Sequence, residues 1–338
     1  MDAKKYTAAL SSDGATLAKV IATFSVVLTH SYKLFKYMGV EDSAVFYLRG
    51  FHAFAACGVP VFFLLAGYFL TFKDNWDYQK NLKKKFKSLA IPYCVFILLH
   101  AMISCAGSLI LPQFFDDFRT FSAQDWLMHL IGIPFVIAPS FYGPLWFLRE
   151  LFIFNVLSIV LVPVVKKTKG YILIPAMICI YYLPIPQIIR YSIPFFVTGM
   201  YFGFNKKLPV LSNPLHIIIL LIIGFTVPIV FQGELAWKIS AFLMVVSVLN
   251  VSEKLTEREK VKKTAQIAIS YSFPIYLLHE YPMTTLMRLL ALRHISIPLA
   301  TAAFIVAPFV IIGMCVLIID IWRRFSPKTY TLCTGGRQ

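Results

Sequence analysis

Hydrophobic residues in this chain come in long blocks, and the polar residues between them come in short basic bursts. Read as helices, the blocks fall at 15–38, 50–73, 88–110, 144–165, 171–185, 188–204, 211–231, 234–252, 265–290 and 297–321. Most reach the length of about 20 apolar residues that crosses a bilayer core. The fifth and sixth are short and are separated by "LPIPQ" (183–187), the pattern of a tight hairpin. "DWLMHLIGI" (125–133) reads as an interfacial helix with Trp126 at headgroup depth. The expected fold is all-α: a polytopic membrane bundle of about ten transmembrane helices. It is expected to form one domain over 1–338, helical over 10–325 and ending in a short basic tail, 326–338.

Composition agrees with the pattern. Hydrophobic residues make up 59% of 338 and charged residues 14%, with a mean hydropathy of +0.74. A soluble domain carries about a quarter charged residues. The net charge of +16 would fit nucleic acid only if it were gathered on one surface. It is dispersed in clusters between blocks, so a nucleic-acid partner is excluded and the charge reads as topological. With the N-terminus inside, 22 of the 32 Lys and Arg fall on inner segments, nine near outer ends, and Lys19 within the first block. Both termini are therefore expected in the cytoplasm, and the protein in the plasma (inner) membrane. Lys19 interrupts the first block and no small-residue cleavage site follows, so that block is expected to be a retained span. Six cysteines lie mostly inside blocks with no CxxC or Cys/His spacing, so no metal is expected.

The polar residues inside the blocks carry the candidate chemistry. Lys19 and His30 are 11 residues apart, close to three helical turns, and project from one face about 16 Å apart. Taken singly, Lys19 reads equally well as a lysine reaching back to the inner headgroups, and His30 better as an interhelical hydrogen bond. Arg149 and Glu150, Arg190, and His279 and Glu280 all fall in the outer halves of their blocks. Glu234 and Lys238, four residues apart, pair with each other. With His30, the others imply a polar cavity on the outer side. Two histidines with a carboxylate nearby resemble acid–base equipment; a polar network gluing helices is the plainer reading. On the inner side, "NLKKKFKSLAIPY" (81–93) reads as a loop crowding Lys83, Lys84, Lys85 and Lys87 at the mouth of the third block. Topological charge with anionic lipid contact explains it; a site for a phosphorylated cofactor is the sharper alternative.

These residues together resemble the membrane acyltransferase-3 family. Its opening motif is a basic residue, ten positions, then histidine, matched by Lys19 and His30 with lysine for the commoner arginine. "GVPVFFLLAGYFL" (58–70) is similar to a phenylalanine pair followed by Ser-Gly-Tyr, with Ala66 where serine is usual. "KKKFKSLAIPY" resembles a basic, often Arg-x-x-Arg, stretch before Ile/Leu-Pro-Tyr, in the register Lys84 and Lys87 or Lys85 and Ser88. "YGPLWFLRELF" (142–152), "YSIPFFVTGMYFG" (191–203) and "SYSFPIYLLHEYP" (270–282) complete the order.

The resemblance implies an integral membrane O-acyltransferase, most simply an O-acetyltransferase. The acyl donor is then acyl-CoA, acetyl-CoA in the simplest case. The acceptor is a hydroxyl on a surface polysaccharide or lipid-linked glycan. His30 would be the general base and Lys19 would support the donor. Phosphates would meet Lys84, Lys85 and Lys87. Glu150 or Glu280 would orient the imidazole, with His279 as further acid–base equipment. Tyr68, Trp146, Arg149 and Arg190 would line the acceptor side. Direct transfer and an acyl-His30 relay are both compatible with these residues. Membrane lipids are the remaining partners. The rival readings are a transporter or flippase for a glycan or small molecule, and a non-catalytic membrane scaffold.

Overall fold

The structure is a computed structural model that describes residues 7–73, 76–110, 121–126, 143–180, 183, 187–209, 211, 213–231, 233–291 and 296–336. In chain order the helices are α1 (Ser12–Tyr37), α2 (Arg49–Ala56), α3 (Gly58–Thr71), α4 (Tyr78–Lys85), α5 (Ile91–Ile110), α6 (Trp146–Lys167) and α7 (Gly170–Ile180). They continue as α8 (Gln187–Asn205), α9 (Pro214–Val230), α10 (Glu234–Leu255), α11 (Glu259–Leu278), α12 (Glu280–Ala291), α13 (Ile297–Phe325) and α14 (Pro327–Cys333). Two two-residue strands, β1 (Thr7–Ala8) and β2 (Leu208–Pro209), pair antiparallel with Thr7 opposite Pro209. The chain forms two compact units: Met1–Lys73 with Gly199–Asp320, and Asp74–Thr198 with Ile321–Gln338.

Among the described residues, six helical segments are long and apolar enough to cross a membrane: Ser12–Lys36, Val45–Thr71, Tyr78–Ile110, Gly143–Lys167, Glu234–Leu255 and Ile297–Phe325. Their apolar surface is two-sided. On α13, Phe304, Ile311, Cys315 and Ile319 are buried at helical spacing, whereas Leu299, Phe309 and Leu317 face outward. Large outward apolar side chains in such numbers suit lipid and not water. The other helical blocks fall short for visible reasons. α7 has 11 residues and α9 has 17. The first turns of α11 carry Glu259, Lys260, Lys262 and Lys263.

The first unit is organised around α1. Its N-cap is Ser11, whose hydroxyl accepts the Gly14 N–H at 2.8 Å. Glu253 on α10 accepts from both the Ser11 N–H (3.1 Å) and the Ser11 hydroxyl (2.9 Å). Asp13 pairs with Lys262 on α11 at 3.0 Å. These contacts fix where α1 begins.

Two blocks that the pattern reads as simple helices, and one stretch that it reads as a loop, depart from those readings. The block at 50–73 breaks at Cys57, between α2 and α3. Pro60 has no N–H to return to the Ala56 carbonyl. The block at 265–290 breaks at His279, and Pro282 removes the matching donor for Leu278. The stretch 81–93 is helix and not loop. Asp77 caps α4 by accepting the Lys80 N–H at 3.0 Å, and a π-helical turn over Phe86–Ala90 joins α4 to α5. Ile91 donates to the Phe86 carbonyl in that turn, one residue before Pro92, whose missing N–H favours such a bulge. Of the 125–133 segment, only residues to Trp126 lie within the described residues. They start as a helix under Ser122, which accepts the Asp125 N–H at 3.2 Å. Most of the hairpin joining α7 to α8 also lies outside them.

Glycines set the closest helix approaches in this unit. A Cβ on Gly58 would lie 2.6 Å from the Ala22 carbonyl oxygen of α1. A Cβ on Gly199 would run into the Leu64 carbonyl oxygen of α3, and one on Gly203 into Thr71 Oγ1 and the Tyr68 carbonyl oxygen. Gly199 and Gly203 form a G-x-x-x-G pair on α8, the spacing that lets two membrane helices touch backbone to backbone. Gly199→Val is expected to lower the thermal midpoint of the detergent-purified protein, by the equivalent of about 1–3 kcal/mol of overpacking. Gly313→Ala, where a Cβ meets nothing within 4 Å, should not lower it. Equal midpoints for wild type and Gly199→Val would contradict this packing.

Candidate active site

α1 is unbroken from Ser12 to Tyr37, so the one-face relation of Lys19 and His30 holds. The His30 ring meets the His279 ring edge-on, with centroids 4.9 Å apart and an interplanar angle of 68°. His279 occupies the break between α11 and α12 and is fully buried. Its Nδ1 lies 2.8 Å from the Tyr276 carbonyl oxygen and 3.2 Å from that of Ile275. Carbonyl oxygens only accept, so Nδ1 carries the proton and, in the neutral ring, Nε2 carries the lone pair. Among the described residues, neither His279 Nε2 nor His30 Nδ1 has a hydrogen-bond partner, and both are buried. The result is a pair of imidazoles, one with its tautomer fixed, and two buried nitrogens open to further bonding.

A charged pair adjoins the two rings, and an aromatic stack forms elsewhere along α1. Lys33, one turn beyond His30, places its Nζ 3.8 Å from Glu280 Oε1. Glu280 Oε2 is buried and lacks a hydrogen-bond partner among the described residues. Tyr32 stacks on His52 with centroids 4.1 Å apart and planes 4° from parallel. His52 in turn meets Trp237 edge-on at 5.0 Å. Farther along α1, the Lys19 ammonium sits 5.0 Å from the centroid of the Phe69 ring, a cation–π contact that half-buries it. Tyr68 is fully buried, and its hydroxyl accepts the Leu10 N–H at 3.3 Å, an account that needs no ligand.

The second unit holds the other candidates. Lys83, Lys84 and Lys87 are exposed, and Lys85 is half-buried. Lys80, Lys83, Lys84 and Lys87 follow the i, i+3, i+4, i+7 spacing of one helix face, with Lys87 inside the π-turn. Arg149 and Glu150 are buried in α6, where Arg149 Nη2 donates to Glu150 Oε1 at 3.3 Å. Arg149 Nε and Nη1 and Glu150 Oε2 have no hydrogen-bond partner among the described residues. A buried ion pair with unused donors is expensive to hold, since desolvation outweighs a single bond. Trp146 opens α6 and is half-buried, as is Arg190 on α8.

The structure thus gathers His30, His279 and Glu280 within the first unit and pairs Arg149 with Glu150 within the second. Lys33, Tyr32, His52 and Trp237 escape a reading that looks only for charges deep inside apolar blocks. Lys33 had a usable signal, being three residues after His30 and so on nearly the same face. His52 had none, because its partners come from α1 and α10.

The paired imidazoles, the basic turn and the six apolar segments can be set beside known proteins. A family model for the acyltransferase-3 group, described as an acyltransferase domain, matches residues 13–322. The succinoglycan biosynthesis protein ExoH of Rhizobium meliloti (strain 1021) is 25% identical over 303 residues, covering 83% of this chain and 79% of its own. No solved structure matches the chain. A match that runs from the first turn of α1 to the last turns of α13, over apolar helices that fit a multi-pass membrane protein, leaves one assignment: the chain belongs to the acyltransferase-3 family and is an enzyme that transfers acyl groups other than aminoacyl groups.

Proposed function

We propose that this enzyme is an O-acyltransferase, and specifically an O-acetyltransferase, acting on a hydroxyl of a surface polysaccharide or a lipid-linked glycan. Acyl-CoA is the donor, acetyl-CoA in the simplest case. The observation that carries the chemistry is the His30–His279 pair, 4.9 Å apart in a buried setting. The acceptor class is supported by the similarity to a protein named for succinoglycan biosynthesis. His30 accepts the proton of the acceptor hydroxyl as its oxygen attacks the thioester carbonyl. The carbon–sulfur bond then breaks, and the departing thiolate takes the proton from the His30 imidazolium, giving ester and free thiol. His279, its Nδ1 proton committed to backbone carbonyls, presents an Nε2 lone pair beside the reacting ring. Glu280, held at Lys33, supplies the carboxylate on this side. Phosphates of the donor are assigned to Lys84, Lys85 and Lys87. Ten membrane-spanning segments with both termini in the cytoplasm, in the plasma membrane, complete the reading; the Lys and Arg distribution supports it.

His30→Ala is expected to reduce thiol release from acetyl-CoA by the purified protein about 10²- to 10⁴-fold, the usual worth of a general base. The variant should still reach the membrane in normal amount, and the surface glycan of cells carrying it should lack an ester-linked acetyl group by mass. Wild-type turnover by His30→Ala would refute the role. A fluorescent protein fused after Gln338 should fold and fluoresce, as it does only on the cytoplasmic side. A dark fusion with full enzyme activity would reverse the orientation.

A further inference from the structure

Within the short basic tail, Pro327–Cys333 form a helix, α14. α14 starts with Pro327 at its first position and ends in a glycine pair. Gly336 donates to the Thr331 carbonyl at 2.8 Å and Gly335 to that of Leu332 at 3.2 Å, with Gly335 at φ +67°. That crossed pair of bonds is a Schellman ending. The hook is held to the end of α13 by side chains. Arg323 Nη2 donates to the Tyr330 hydroxyl at 2.8 Å, and its guanidinium lies 4.9 Å from the ring centroid. Trp322 Nε1 donates to Thr329 Oγ1 at 2.9 Å. Tyr330 and Thr334 are buried.

The place where the hook lands matters more. A Cβ on Gly335 would lie 2.6 Å from Ser88 Cα and 2.9 Å from the Lys87 carbonyl oxygen. The last turn of the hook therefore rests on the backbone of the π-turn that carries Lys87 and continues the Lys84 face. Pro92 cannot return an N–H to that turn, so it is a weak point in an otherwise continuous helix.

We propose that the hook, Pro327–Gly336, is a positioning element for the donor's phosphates, with Gly335 seating it against Lys87 and Ser88 and thereby fixing the π-turn. This rests on the assignment of those phosphates to Lys84, Lys85 and Lys87. Gly335 and Gly336 both hold positive φ, a conformation asparagine tolerates. Only at Gly335 does a side chain collide with the turn, because a Cβ on Gly336 meets nothing within 4 Å.

The test uses the purified full-length protein, with coenzyme A as the probe. Gly335→Asn should speed amide hydrogen exchange over 86–90 and weaken coenzyme A binding roughly tenfold, as expected when a binding group is displaced by a fraction of an ångström. Gly336→Asn should change neither, and Gly335→Ala should do the same as Gly335→Asn more mildly, should the larger variant fail to fold. Unchanged exchange over 86–90 in Gly335→Asn overturns the inference. So does faster exchange with unchanged coenzyme A affinity while Lys87→Ala weakens it. If Lys84→Ala and Lys87→Ala both bind coenzyme A as wild type does, the phosphate assignment fails, and the inference falls with it even though exchange reports the hook contact.

Discussion

A helix broken inside an apolar phase releases carbonyls that water cannot reach, and each must find another donor. In this protein a side chain at the break between α11 and α12 turns back onto the last turn of α11. His279 turns its Nδ1 back onto the Tyr276 and Ile275 carbonyls. Those bonds fix the ring's tautomer and orientation, and its edge meets the His30 ring. The chemistry assigned to the pair follows from these hydrogen bonds, which commit Nδ1 and leave Nε2 as an acceptor beside the first helix.

The helical blocks and the Lys19–His30 relation were readable because both depend on period alone, and α1 is regular. Breaks at Cys57 and His279 were harder to see. Each sits three residues before a proline, Pro60 and Pro282, but several other prolines lie inside helices without ending them, as Pro163 does in α6. At the first break a neighbouring helix comes close. Gly58, directly after the first break, brings α3 onto the Ala22 carbonyl, a contact that needs the chain to change direction there. The basic stretch at 81–93 misled in the opposite sense. Charge density looks like a loop, but lysine is a good helix former and Asp77 supplies the cap. Tyr32, His52 and Trp237 form their stack across three separate helices, and nothing in local sequence brings them together.

The polar residues also divide by how they are satisfied. Tyr68, Ser11, Asp13 and Glu253 have direct partners and read as architecture, tying the start of α1 to α3, α10 and α11. His30, His279, Glu280, Arg149 and Glu150 keep buried polar atoms with no partner among the described residues. Such atoms cost about 1–3 kcal/mol each when left unmet. At His30, His279 and Glu280 such atoms lie together, where a reacting group would meet them.

The departures from the family pattern bear on the basic turn. A pair of arginines brings its own geometry, since each planar guanidinium grips a phosphate with two parallel bonds. Lysines at 84 and 87 bring charge alone, on flexible stems. With lysines in those places, the precision of the proposed phosphate site has to come from the backbone that carries them. Here that backbone is a π-turn next to a proline, the least self-sufficient part of the helix. A folded hook rests on it through Gly335, and on the proposed reading that contact supplies from outside the turn the order that the side chains lack.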